Sequence, residues 1–166
     1  MKKFLYLILI FALFCSACKQ KSSDVTVVTT GLSFTAAASY LDNQNSYSVI
    51  IGKNGNTKIG NSDNSEQNIT YHFEGQKLEI SYNDLLYKCN LSAIKEGSIP
   101  EIIYYAFICA KTEKVNFKNN EYFITCKNDK YKFKIYLGQT GLPIKITEQN
   151  FDVIINIVFF ESFGIY

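Results

Sequence analysis

The chain has no arginine and no tryptophan, a single histidine and two prolines among 166 residues. Each absence narrows what it can do. Without arginine there is no planar guanidinium fork for bidentate phosphate recognition, which argues against nucleic acid as a partner. One histidine cannot build a zinc site, and no cysteine or histidine set has metal-ligand spacing. That histidine, His72, stands between Tyr71 and Phe73 in an alternating segment, so it faces away from them toward solvent. A Ser or Cys nucleophile needs a base nearby, and a lone surface imidazole is poor material for one. No glycine-rich phosphate loop is present, because "GKNGN" reads as a hairpin turn. The carboxylates are scattered. Asp152, in the last apolar strand, is the one acid amid apolar neighbours, and reads as a hydrogen-bonded edge or convex-face residue rather than a general acid. The expectation is a protein that is not an enzyme, with no catalytic residue, no metal and no cofactor.

What is present begins with a leader. Lys2 and Lys3 precede an unbroken apolar run, Phe4 to Phe14, followed by the small residues Ser16 and Ala17. This is the pattern of a secretory signal, and the run is shorter than the roughly 20 residues a spanning helix needs. The cut then falls before Cys18. Small residues ahead of a cysteine at this place resemble the lipobox of bacterial lipoproteins, with Cys15 where that family usually has an aliphatic residue. The resemblance implies lipidation of Cys18, with diacylglycerol and a further acyl chain of the palmitate kind. Dual acylation anchors stably because each buried methylene contributes about 0.8 kcal/mol. The C-x-x-C spacing of Cys15 and Cys18 is then not a redox pair, since the cut separates them. The expected organisation is a signal peptide over 1–17, a polar tether over 18–30 and one β-rich domain over 31–166. The expected place is the extracytoplasmic face of a cell membrane, held by the lipid anchor. The leader removes two lysines and leaves fifteen against fifteen acids, a neutral domain. Three body cysteines remain, Cys89, Cys109 and Cys126. At most one disulfide can form among them, and the sequence leaves open whether any does.

The body is a procession of short alternating segments, each the mark of a strand with one buried face. "FTAAASY", "SYSVII", "ITYHFEG", "KLEISY" and "LLYKCNL" precede one helical segment, "SIPEIIYYAFICAK". Ser98 is placed to cap that helix, with Pro100 in its first turn, Glu101 at the positive end of its dipole, and Lys111 and Lys114 at the other end. The helix is expected from Ile99 to about Thr112. A three-stranded meander follows, with turns at "KNN" and "KND". Then comes "LPIKITE", with Leu142, Ile144 and Ile146 inward, and last "FDVIINIVFF", partly covered on both faces. Gly60 to Asn68 reads as loop or a weak edge strand. About ten antiparallel strands and one helix cannot make a flat covered layer. The sheet must curl around the helix, giving a mainly β (α+β) half-open barrel with an apolar concave side and a lysine-studded convex side.

The order of lipobox, hairpins, central helix, meander, "TGLPIKI" and "VIINIVFF" resembles the LolA-like fold of outer-membrane lipoprotein carriers and related lipid-binding lipoproteins. "YNDLLYKCNLSAI" is similar to the lipid-anchored, clostridial-type members. The resemblance implies a half-barrel that binds a lipid, a lipoprotein or another hydrophobic ligand. Two features depart from the carriers: their lid-locking arginine has no counterpart here, and shuttling carriers are not tethered. Lipid binding is therefore the broader implication. Twenty-five aromatics, all Tyr or Phe, exceed what one helix can cover, which points to a cavity. Its expected walls are Phe34, Tyr47, Phe133, Ile135, Ile144, Val153 and Ile155, on the inward faces of the cleanest strands. The alternative is a lipoprotein with a filled core that serves as a scaffold or interaction domain for another envelope protein.

Overall fold

The computed structural model describes residues 25–40, 43–61 and 69–162. The expected signal over 1–17, the expected lipidation site Cys18 and residues 18–24 of the expected tether lie outside the described residues. In chain order the strands are β1 (Leu32–Tyr40), β2 (Asn43–Ile51), β3 (Thr57–Asn61), β4 (Ile69–Glu74), β5 (Lys77–Tyr82) and β6 (Leu85–Asn90). A short 3₁₀ turn, Leu91–Ala93, leads to the helix α1 (Ile99–Ala110). Then come β7 (Asn116–Lys118), β8 (Glu121–Lys127), β9 (Lys132–Leu137), β10 (Pro143–Glu148) and β11 (Val153–Ser162). All eleven strands form one antiparallel sheet, ordered β6-β5-β4-β3-β2-β1-β11-β10-β9-β8-β7. The long β1 and β11 lie side by side at its centre. The expected class holds: a mainly β chain whose curled antiparallel sheet packs its inner face on one helix.

The turns follow from local chemistry. Asn119 and Asn120 both have positive φ, 53° and 64°, as a two-residue type I′ hairpin between β7 and β8 requires. The "KND" turn is held by the Asn128 side-chain oxygen, which accepts from the backbone N–H groups of Lys130 and Tyr131.

The core is a set of cross-strand rows. Ile124, Ile135, Ile146, Ile155 and Ala38 lie opposite one another across β8, β9, β10, β11 and β1, all buried. Residues two apart on each strand carry the same face, so one register sets the whole row. The helix lies over these rows. Phe107 meets Phe34 with ring centroids 5.5 Å apart. Tyr104 stacks on Phe73 at 4.5 Å and donates from its hydroxyl to the Gly75 carbonyl at 2.9 Å.

Five local expectations are corrected. Residues 57–61 form β3, an interior strand that the alternation did not mark, with Thr57 and Ile59 inward; of the stretch Gly60 to Asn68 expected as loop or weak edge, Gly60 and Asn61 belong to this strand and 62–68 lie outside the described residues. Ser98 sits at the N-cap position, but its hydroxyl makes no capping bond and is buried without a partner. The helix ends at Ala110, with Lys111 as C-cap and no basic residue in its last turn. Asp152 is in the turn before β11 with φ 53°, exposed, rather than on the strand. The even-numbered face of β11 is open: Ile154, Asn156 and Val158 are exposed. The tether also ends earlier than expected. Val27 and Val28 pack on the core, and the Val28 N–H donates to the Gly141 carbonyl at 3.1 Å. Residues 25–30 thus belong to the folded body.

Candidate functional site

The helix has 12 residues and so spans about 18 Å, the width of roughly four strands at about 4.8 Å each. An eleven-stranded sheet outruns it. Where the cover stops follows from the rings: Tyr104 ends over Phe73, and Phe73 and the neighbouring Leu78 are fully buried. Two residues further along the same face, Tyr71 and Ile80 are only half-buried. Beyond them the face opens. Tyr82 is 40% exposed, Leu85 71% and Tyr87 62%. Registers place these side chains together: Tyr71 lies opposite Ile80, Ile80 opposite Tyr87, Ile69 opposite Tyr82, and Tyr82 opposite Leu85. Ile69, Tyr71, Ile80, Tyr82, Leu85 and Tyr87 therefore form one apolar wall across β4, β5 and β6, half-covered where it joins the core at Ile69, Tyr71 and Ile80 and open at Tyr82, Leu85 and Tyr87. Its polar atoms are three phenol oxygens. Burial pushes the Tyr71 phenol above its ordinary value, so it stays neutral.

The wall ends at β6, which pairs only with β5 among the described strands and so forms one edge of the sheet. Lys88 there bonds Glu79 at 2.7 Å, which together with the charges of Lys88 and nearby groups holds that carboxyl below its ordinary value. His72 lies 4.0 Å from Glu79 on the same convex face, half-exposed as expected.

In the first turn of the helix, three residues before Tyr104, a polar knot closes the fold. Glu101 is fully buried and accepts from the Tyr131 hydroxyl at 2.6 Å and the Lys130 ammonium at 3.4 Å. The Gly97 N–H donates to the same Tyr131 oxygen at 3.0 Å. Burial, and then the bond to Glu101, push the Tyr131 phenol far up. Glu148 is buried as well and accepts from the backbone of Lys132 and Phe151 at 2.8 and 2.7 Å. Each buried carboxylate has hydrogen-bond partners, which is what a structural group needs. Among the described residues no group of three or more His, Cys, Asp or Glu is arranged to hold a metal ion.

The expected wall residues divide. Phe34, Tyr47, Phe133, Ile135, Val153 and Ile155 all point inward and are buried. Among the described residues they belong to the buried core, and Phe133 also borders a surface hollow of about 540 Å³. Ile144 points out, 52% exposed. The pairing of β10 with β9 shifts between Pro143 and Lys145, so Ile144 is the extra residue of a bulge and the alternation restarts after it. It borders a different hollow, of about 260 Å³, with Phe117, Tyr122 and Tyr136. The open wall was missed because the cleanest alternation marks the best-covered strands. The signal that could have found it is "LLYKCN", whose Leu85, Tyr87 and Cys89 share one apolar face on the strand that ends the sheet.

By sequence, the chain matches no family model, and none of the curated proteins matches it. Among solved structures it is similar to a LolA superfamily protein, NE2245 from Nitrosomonas europaea, at 8% identity and a TM-score of 0.49, over 86% of this chain and 90% of that one. It is similar to MucB at 11% identity and a TM-score of 0.44, over 82% of this chain and 55% of MucB, so it spans about half of MucB's length. The complex of MucA and MucB from Pseudomonas aeruginosa is similar at 9% identity and a TM-score of 0.43, over 81% of this chain and 52% of that one. These are likenesses of fold, and what this chain does follows from its own residues.

Proposed function

We propose that the chain is a membrane-tethered extracytoplasmic lipoprotein that binds a lipid or another apolar ligand and is not an enzyme. The observation that carries this reading is the wall of Ile69, Tyr71, Ile80, Tyr82, Leu85 and Tyr87, open at its last three members. Exposed side chains of this size, set side by side and continuous with a core, mark binding surfaces rather than ordinary surface scatter. An acyl chain or comparable apolar group laid along the wall would regain the cover that the helix stops short of giving. The phenols of Tyr82 and Tyr87 suit the polar end of an amphiphile. The anchor at Cys18 rests on the leader pattern alone.

The test is uptake of a fluorescent fatty-acid probe by the full chain, together with native mass spectrometry of the protein taken from membranes. Leu85→Asp with Tyr87→Asp should weaken probe binding at least about tenfold, since each places a charge on an apolar surface. Ile154→Asp, exposed on the opposite face, should leave it unchanged. Equal loss in both, or no uptake at all, overturns the reading. Cys18→Ser should release the chain from the membrane or leave the precursor uncut.

The second reading, an interaction domain for another envelope protein, is favoured by one observation: β6 is a six-residue edge strand next to the wall. An extended segment of a partner could pair with that edge and lay alternate side chains on the wall. Proline substitution at Leu86 or Lys88, at whichever position has an outward N–H, would abolish such pairing and spare lipid uptake.

A further inference from the structure

Helix α1 and strand β8 are brought together by the fold, and each contributes one cysteine to the place where they meet. The helix packs on β8, Cys126 is a buried member of the core there, and Cys109 packs against that core from the helix, so that each thiol is among the groups that set the other's proton affinity. Both are reduced here, Cys126 buried and Cys109 half-buried. Cys89 lies on β6 at the opposite edge of the sheet, facing Leu78. Three thiols thus divide into a pair and a remainder, a division that the spacing along the chain does not reveal. Access exists from one side. Cys126 borders the open hollow of about 540 Å³ with Glu113, Lys127, Lys132 and Phe133.

We propose that Cys109 and Cys126 are a disulfide-forming pair that staples the end of the helix to the C-terminal half of the sheet. The oxidant is a disulfide-bearing molecule or protein, acting by thiol–disulfide exchange. Cys109, the more accessible, loses its proton, and its thiolate attacks one sulfur of the oxidant's disulfide. A mixed disulfide forms and one oxidant thiolate leaves. Cys126 then loses its proton and attacks the Cys109 sulfur, displacing the second oxidant thiolate. The two cysteines are oxidised and the oxidant's disulfide is reduced to two thiols, so atoms and electrons balance. The second step is the slow one. Burial, and then the hydrogen bond to Cys109, push the Cys126 thiol far above its ordinary value, so little of it is ionised. The pairing itself is argued from the fold. Only the expectation that such an oxidant is met in the cell rests on the extracytoplasmic placement proposed above, since disulfides persist in oxidising compartments.

The test starts from the reduced full chain in detergent, incubated with glutathione disulfide, blocked with an alkylating agent and mapped by peptide mass spectrometry. The expected result is a cross-link joining the peptides of Cys109 and Cys126, with Cys89 alkylated. Cys89→Ser should retain the cross-link, and Cys109→Ser should lose it. The bond closes a loop with 16 residues between the two cysteines. The oxidised chain should therefore melt higher than the reduced one by on the order of 10 °C, reversibly with reductant. Cross-links through Cys89, or three alkylated body thiols after prolonged oxidation, would overturn the proposal without touching the apolar-ligand reading. Ready closure in vitro combined with reduced thiols in protein trapped from cells would support the pairing and count against the extracytoplasmic placement.

Discussion

The two flanks of the sheet, β2 to β6 and β7 to β11, have five strands each and differ in what lies on their inner face. On the C-terminal flank the isoleucine row is fully covered, and the Glu101–Tyr131–Lys130 knot and Glu148 fix the helix and turns around it. On the N-terminal flank the helix reaches Phe73 and stops, and the outer strands keep large apolar side chains in solvent. The edges differ in the same sense. β7 is three residues long, Asn-Phe-Lys, a short and polar edge of the kind that discourages pairing. β6 is twice as long and begins Leu-Leu-Tyr. One flank is built for stability, and the other leaves apolar surface available to something else.

The largest expected effect tests that division directly. Ile135→Ala, in the covered row, should lower stability by about 3 kcal/mol in urea unfolding, whereas Leu85→Ala on the open wall should change it by less than about 0.5 kcal/mol. Comparable losses would mean that the wall is covered in solution. Next comes the knot. Tyr131→Phe leaves Glu101 buried with one partner fewer and should cost about 2 kcal/mol, measured the same way. Gly141→Ala should follow at about 1–2 kcal/mol. Its φ is +81°, and an added Cβ would run into the Thr26 carbonyl, so residues 25–30 should detach and become open to proteolysis. Alkaline pH gives a smaller, graded effect. Burial raises the Cys109 and Cys126 thiols above 9.0 and the Tyr71, Tyr104 and Tyr131 phenols above 10.0. The unfolded chain releases these protons first, so stability present below those values falls as pH rises beyond about 9. In the oxidised chain the thiol part vanishes, and the fall should begin about one pH unit later. The smallest effect is on the convex face. Lys134 stands 4.5 and 4.4 Å above the Phe123 and Tyr136 rings, and Lys134→Gln should cost about 0.5 kcal/mol.

Period-two alternation located nearly every strand, and helical spacing located the helix, because burial on one face is what pattern and element both express. It failed where another force decided. Thr57 is buried through its hydroxyl bond to the Gly55 carbonyl, which hydropathy does not count, and so β3 was hidden. A bulge moved Ile144 to the outside, and no composition marks a bulge with this side chain. The site was the least legible part. Alternation reports which face of a strand is apolar but not whether a neighbour covers it, and cover depends on where a helix nearly twenty residues away in sequence lies down.

The docked segment at Gly141 gives the molecule a direction. Thr26 and Val28 meet the β9–β10 turn, at the same end of the sheet as the start of β1. Strand registers place the Tyr82–Leu85 hairpin at the other end. Between Cys18 and Val25 there are seven peptide links, which reach at most about 25 Å. A chain fastened at Cys18 would stand with the Gly141 turn as its foot and its uncovered wall as its crown, about one strand length, roughly 20 Å, farther from the bilayer. A fluorophore placed at Asp84 should then escape quenchers carried by the lipid.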